Sequence, residues 1–136
     1  MKIIVCLDDN SGMMFNRRRQ SRDRVVIDDI IACAQGGELC VDSYSVPLFD
    51  GKNIKLSIND DFANKPKKND ICFVEHGVAS ALVSFADEVT IYRWNRLYPS
   101  DVKFDADLEK MGFRLTLSTD FAGYSHEKIT KEIFSK

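Results

Sequence analysis

The run Lys2-Ile3-Ile4-Val5-Cys6-Leu7 is apolar at every position after the lysine and ends in the turn signal Asp8-Asp9-Asn10-Ser11-Gly12. A strand apolar on both faces must be covered on both, so this run predicts a buried strand within a sheet. Downstream, Val26, Ile30 and Cys33 recur at helical spacing, Ile27, Ile31 and Ala34 widen the stripe, and Gly36-Gly37 stops it. Ser21 is the expected N-cap of that helix. An apolar run resumes from Glu38 to Asp42. Strand, helix and strand in this order predict a βαβ unit with its two strands parallel.

The remaining segments extend the sheet. Asn53 to Ile58 alternates as a strand does, Asn59 to Asp70 is a polar surface connection, and Ile71 to Val74 is a third short apolar strand. Gly77 to Phe85 has the composition of a short helix, and Glu88 to Trp94 is strongly β-prone up to a stop at Pro99. After a turn at Asp107 to Gly112, the segments 113–117 and 129–134 alternate and are expected to pair as a C-terminal hairpin. Met13-Met14-Phe15 is read either as a loop folded over the core or as the lining of a cleft. With 136 residues, the chain is expected to form a single domain over 1–136.

Charge and cysteine usage restrict the function classes. A net charge of −2 provides no global field for nucleic acid or anionic membrane, so any polyanion binding must be local. The apolar runs are far shorter than a membrane span and the opening residues lack a signal-peptide plan, so a cytoplasmic protein is expected. Cys6, Cys33, Cys40 and Cys72 lack the paired spacing of zinc or thioredoxin-type sites and are expected to be reduced core residues.

The order of elements and several strings resemble dihydrofolate reductase. These are the apolar first strand, the Gly12-Met13 loop, the acidic Asp23 at the helix start, Lys52 to Ser57, Ile71 to Val74, Ala86 to Tyr92, Asp101 to Asp105 and the terminal hairpin. The resemblance implies an α/β fold of three layers around a central mixed sheet, with Asp23 as the catalytic carboxylate and NADPH as the cofactor. Glu75-His76-Gly77 stands where that family has a glycine pair approaching the pyrophosphate, and a carboxylate there repels phosphate. The interval from Ser57 to Ile71 is also shorter than the family's adenosine-supporting segment. No cofactor is therefore expected, and Asp23 between Arg22 and Arg24 is tuned away from holding a proton.

A closer resemblance is to short uncharacterised proteins of anaerobic Gram-positive bacteria, some named ribonuclease Z. It rests on the strings Asn10 to Asp23, Tyr92-Arg93-Trp94-Asn95-Arg96 and Gly123-Tyr124-Ser125-His126-Glu127-Lys128. That name implies a metallo-β-lactamase fold with a histidine-rich zinc cluster, whereas this sequence holds only His76 and His126, so no metal is expected. If the chain is an enzyme, a reductase is expected of it before a metal-dependent ribonuclease.

The segment Arg17 to Arg24, with five arginines in eight residues, is the strongest local signal. Free amides at a helix N-terminus favour an anion, and guanidinium groups add a fork that fits phosphate or carboxylate. The alternative is that the arginines are solvated or paired with Asp8, Asp9, Asp28 and Asp29. The candidate site is Arg17, Arg18, Arg19, Gln20, Ser21 and Arg22 with the strand ends Ser43, Tyr44, Glu75 and His76. Arg93 and Trp94 are candidates as part of a stacking platform in which Tyr92, Trp94 and Arg96 share a strand face. His126 is expected to sit idle in an exposed turn. The expected function is binding of a small anionic or nucleotide-like molecule, with a NAD(P)H-dependent reductase of a pteridine-like substrate and a single-stranded nucleic-acid binder as the other classes.

Overall fold

The computed structural model describes residues 1–61, 67–78 and 80–136. Its centre is a mixed seven-stranded sheet. The strands are β1 (Lys2–Leu7), β4 (Glu38–Val41), β5 (Lys55–Ile58), β6 (Ile71–Phe73), β7 (Glu88–Arg93), β9 (Arg114–Phe121) and β10 (Ile129–Ser135), in the order β5-β4-β6-β1-β7-β10-β9. β1 is parallel to β6 and β7, with Ile3 opposite Cys72 and Val89, and β4 is parallel to β5 and β6. β10 runs antiparallel between β7 and β9. β4 is parallel to β1 as the βαβ pattern predicts, but β6 is inserted between them. The fifth strand is shorter than its alternating pattern, and the expected surface connection after it falls partly outside the described residues.

Because β1 is apolar from Ile3 to Leu7, its alternating side chains serve two cores. Ile3, Val5 and Leu7 pack with Val89, Ile91, Phe113 and the Leu82–Val83 pair of α2 (Ser80–Phe85). Ile4 packs on the opposite face with Val26, Ile27 and Ile30 of α1 (Arg24–Cys33), joined by Leu39, Phe73 and Tyr92. Helix, sheet and helix form the expected three layers. Cys40 and Cys72 are buried, but Cys6 and Cys33 are only half-buried, and all four cysteines are free.

Met13, Met14 and Phe15 are strand rather than loop. β2 (Gly12–Phe15) pairs with β3 (Arg18–Arg19) and β8 (Val102–Lys103) in a small second sheet, and Met13 and Met14 enter the core. Asn16 and Arg17 connect β2 to β3 with φ of +51° and +63°. Two consecutive left-handed residues make the tight hairpin turn whose twist matches the strands. The arginine segment is therefore a folded hairpin that turns Arg19 inward.

Asp8, at the end of β1, anchors this hairpin. It is fully buried and accepts from the backbone N–H groups of Gly12 (2.7 Å), Asn10 (2.9 Å) and Tyr98 (3.0 Å) and from Gln20 Nε2 (3.1 Å). Burial raises its pKa, but the amide donors outweigh that and hold it below the ordinary carboxylate value. There is no space here for a larger residue than glycine, since a Cβ at Gly12 would lie 2.5 Å from Gln20 Nε2 and 2.9 Å from Asp8 Oδ1. Asp8→Ala leaves these donors unanswered, so we expect a loss of about 3 kcal/mol in unfolding free energy, read by urea denaturation.

Candidate functional site

At the carboxyl ends of the parallel strands a cleft opens beneath the start of α1. Its walls are Cys6 of β1, Met13 of β2, which lines the cleft as one of the two expectations for that segment had it, Phe73, Val74 and Glu75 at the end of β6, Val26 and Ile27 of α1, Leu48, Trp94, and the segment Arg19 to Asp23. Its inner well is narrow, about 20 Å³, which is room for about one water molecule. Open α/β sheets place ligand sites at such strand ends.

The N-cap of α1 is Asp23, not Ser21. Asp23 has extended backbone (φ −150°, ψ 130°), and its Oδ1 accepts from Val25 N–H at 2.9 Å. The same carboxylate reaches the turn between β9 and β10, accepting from the N–H groups of Tyr124 and Ser125, each at 2.9 Å, and from His126 Nδ1 at 2.8 Å. Ser21, whose hydroxyl hangs on a single carbon, lies too far ahead of a helix that begins only at Arg24 to cap it. Asp23 is 2% exposed, and burial raises its pKa. The imidazole and three backbone amides outweigh burial and hold the group far below its ordinary value of 3.8. It is a fixed carboxylate rather than a proton store, and the anion at the helix N-terminus is Asp23 itself.

His126 is not the exposed turn histidine expected from sequence. It is 5% exposed, and its ring stacks on Trp94 at 4.7 Å and 24°. An ionised Asp23 has no proton to give, so Nδ1 carries the hydrogen, and in the neutral ring Nε2 is left to accept. Ser21 Oγ lies 2.9 Å from Nε2, and Tyr98 Oη lies 3.3 Å from Nε2 and 3.5 Å from Ser21 Oγ. A Ser–His–Asp chain thus ends at the cleft.

The other wall is an ion-paired cluster. Arg19 grips Glu75 through Nε (2.8 Å) and a terminal nitrogen (3.1 Å), while Glu75 also accepts from Ser45 Oγ at 2.7 Å. The Arg19 guanidinium lies over the Tyr44 ring at 4.5 Å, and its backbone N–H donates to the Tyr44 hydroxyl. His76 pairs with Asp42 at 2.6 Å and meets the Tyr44 ring edge-on, while Ser43 is bonded to Asp60. Cys6 lines the floor as a thiol, its pKa pushed up by burial and by Glu75 against the opposing charge of Arg19.

The structure gathers Arg19, Gln20, Ser21, Arg22, Asp23, Glu75 and Trp94 at one cleft, with Tyr44 and His76 behind Arg19. Arg17 and Arg18 point to solvent and Arg22 is exposed, and none of the three has an ion-pair partner among the described residues. Asp8 and Asp28 do not pair with them, being held by amides and by Lys52. The stacking platform does not form. The strand stops at Arg93, which pairs with Glu132, Asn95 turns left-handed, and Trp94 is only 4% exposed. Sequence reasoning missed Tyr98, Ser125 and the role of His126. The available signal was Gly123, where a Cβ would lie 2.6 Å from Asp23 Oδ2 and 3.0 Å from the His126 carbonyl.

Among solved structures, the chain is similar to a dihydrofolate reductase from Enterococcus faecalis, complexed with NADP(H) and RAB-propyl. The similarity has a TM-score of 0.66 at 9% identity and covers 98% of this chain and 94% of that one. The fold is dihydrofolate reductase-like. No family model matches the sequence, and no curated protein matches it. Within this dihydrofolate reductase-like frame, Asp23 joins the first helix to the terminal hairpin.

Both Asp8 and Asp23 have pKa values depressed by folding. Their stabilisation is complete above the ordinary value of 3.8 and is lost as pH falls below it towards the folded-state values. We expect unfolding free energy to fall on acidification below about pH 4, with a shallower decline in Asp23→Asn, measured by urea denaturation across pH. Gly123→Ala should destabilise the native state by about 1–3 kcal/mol, because neither the Asp23 carboxylate nor the His126 backbone can move away without breaking the network.

Proposed function

We propose that the protein binds a small anionic or nucleotide-like molecule at the mouth of this cleft. The observation that carries this reading is Arg22. It lines the cleft, has no ion-pair partner among the described residues, and follows the half-exposed Ser21. The backbone N–H groups of Ser21, Arg22 and Asp23 donate to no acceptor among the described residues, so three amides and one guanidinium are available at one edge. Arg19 is committed to Glu75 and shapes the wall, while Arg17 and Arg18 on the hairpin add to the positive potential beside the opening.

The neighbouring structure holds NADP(H), and a NAD(P)H-dependent reductase of a pteridine-like substrate is the alternative class. Two features favour the binding domain over it. Asp23 is held ionised, and Glu75 stands beside His76 and Gly77 where phosphate would approach. The burial of Trp94 leaves a single-stranded nucleic-acid binder without its stacking platform. The described residues include no helix long and apolar enough to cross a membrane, and the proposal takes the protein to work in the cytoplasm.

The test is a thermal-shift screen of nucleotides, phosphorylated metabolites and dicarboxylates, followed by calorimetry on any hit. One charge-assisted hydrogen bond contributes about 1.5–3 kcal/mol, so Arg22→Ala should weaken binding by roughly one to two powers of ten. Absence of any hit, or a hit indifferent to Arg22→Ala, would overturn the proposal. Micromolar binding of NADPH or NADH would favour the reductase.

A further inference from the structure

Ser21 Oγ, the His126 ring and the Asp23 carboxylate form one line of contacts, 2.9 Å at Nε2 and 2.8 Å at Nδ1. From this geometry we propose that Ser21 is a nucleophile activated by His126, and that the cleft hydrolyses small oxygen esters or thioesters carrying a short acyl group. The order is that of a nucleophile, its general base and the carboxylate that orients the base. A purely structural tie between loops accounts for Asp23 and His126, which are buried and bonded to backbone. It does not account for Ser21, which caps nothing, is half-exposed, and brings its hydroxyl to the cleft.

The surroundings suit the chemistry. The Trp94 stack and Asp23 fix the imidazole, so Nε2 is held towards Ser21 without reorganisation. Tyr98 Oη lies 3.3 Å from Nε2 and 3.5 Å from Ser21 Oγ, and when it donates to Oγ the serine proton is left to Nε2, the nearer partner of Oγ at 2.9 Å. The N–H groups of Arg22 and Asp23, directly after the nucleophile, donate to nothing among the described residues and are available to a developing oxyanion. The well beside Ser21 has Val26, Ile27, Leu48 and Phe73 among its lining, together with the charged Arg19, Asp23 and Glu75, and at about 20 Å³ it takes a group the size of the methyl of an acetyl ester, whose carbonyl stays at Ser21, and excludes a long chain.

In the first half-reaction His126 Nε2 takes the Ser21 proton as Oγ bonds to the carbonyl carbon and the carbonyl electron pair moves onto oxygen. Collapse breaks the bond to the leaving alcohol or thiol, which departs with the proton from Nε2 and leaves an acyl ester on Ser21. Water then gives a proton to Nε2, adds to the acyl carbon and expels Ser21 Oγ, which recovers that proton. The sum is ester plus water to acid plus alcohol or thiol, with no oxidant or reductant.

The test treats the folded full chain with a fluorophosphonate and with p-nitrophenyl acetate, reading the mass of the Ser21 peptide and the burst of p-nitrophenol. We expect an adduct on Ser21, none in Ser21→Ala, and labelling slower by about a hundredfold or more in His126→Gln. Acetate should be cleaved in preference to octanoate. The Asp23 carboxylate acts only through His126, so Asp23→Asn, which keeps the backbone N–H, should change the pH dependence of labelling, whereas a merely structural part would lower the melting temperature and leave that dependence unchanged. No adduct on Ser21, or an equal rate in folded His126→Gln, overturns the proposal. Should His126→Gln fail to fold, native against urea-unfolded wild type decides, since equal labelling of the two would overturn it. The activity shares its cleft with the anion-binding reading, but both probes are uncharged, so either can fail while the other stands.

Discussion

The Asp23 carboxylate is the contact on which the geometry of the cleft depends. It caps α1 through Val25, fixes the turn between β9 and β10 through Tyr124 and Ser125, and sets the His126 ring. A buried carboxylate is expensive to desolvate, and it is retained here because its oxygens meet several donors. One ionised group thereby sets where the first helix begins and where the last hairpin docks.

Two further buried carboxylates follow the same logic. Asp8 is answered by amides and holds the arginine hairpin, while Glu75 is answered by Arg19 and Ser45 and closes the opposite wall. Each stands at or near the end of a strand in the parallel part of the sheet, where the backbone leaves the ladder and its amides become free to bond side chains. The cleft is thus framed by satisfied negative charge, and the free positive charge is left at its rim. The basic segment is divided in function, with Arg19 shaping a wall and its neighbours facing water.

Most of the fold was legible because it is written in local periodicity. The doubly apolar run of β1, the 3.6-residue stripe of α1 and the alternation of the terminal hairpin each specify an element and the side it buries. The insertion of β6 between β1 and β4 was not legible, since strand order depends on which apolar edges meet. The candidate site was half legible. Ser21, Arg22, Asp23 and Glu75 announced themselves by chemistry at element ends. His126 did not, because its burial is produced by Trp94 and by Asp23, 103 residues away, and no local pattern encodes that distance. Asn16, tolerant of a left-handed backbone, hinted at the β2–β3 turn, and Gly123 hinted at a close approach.

The Ser21 to His126 contact spans 105 positions of the chain. During synthesis the strands and helices that form the cleft's floor and walls leave the ribosome first, and domains generally fold as units once their chain is available. Until the hairpin turn follows, Asp23 can cap its helix but Ser21 has no imidazole beside it. Whatever reactivity the cleft holds is thus withheld from a growing chain until the terminal hairpin has been made and has docked on Asp23.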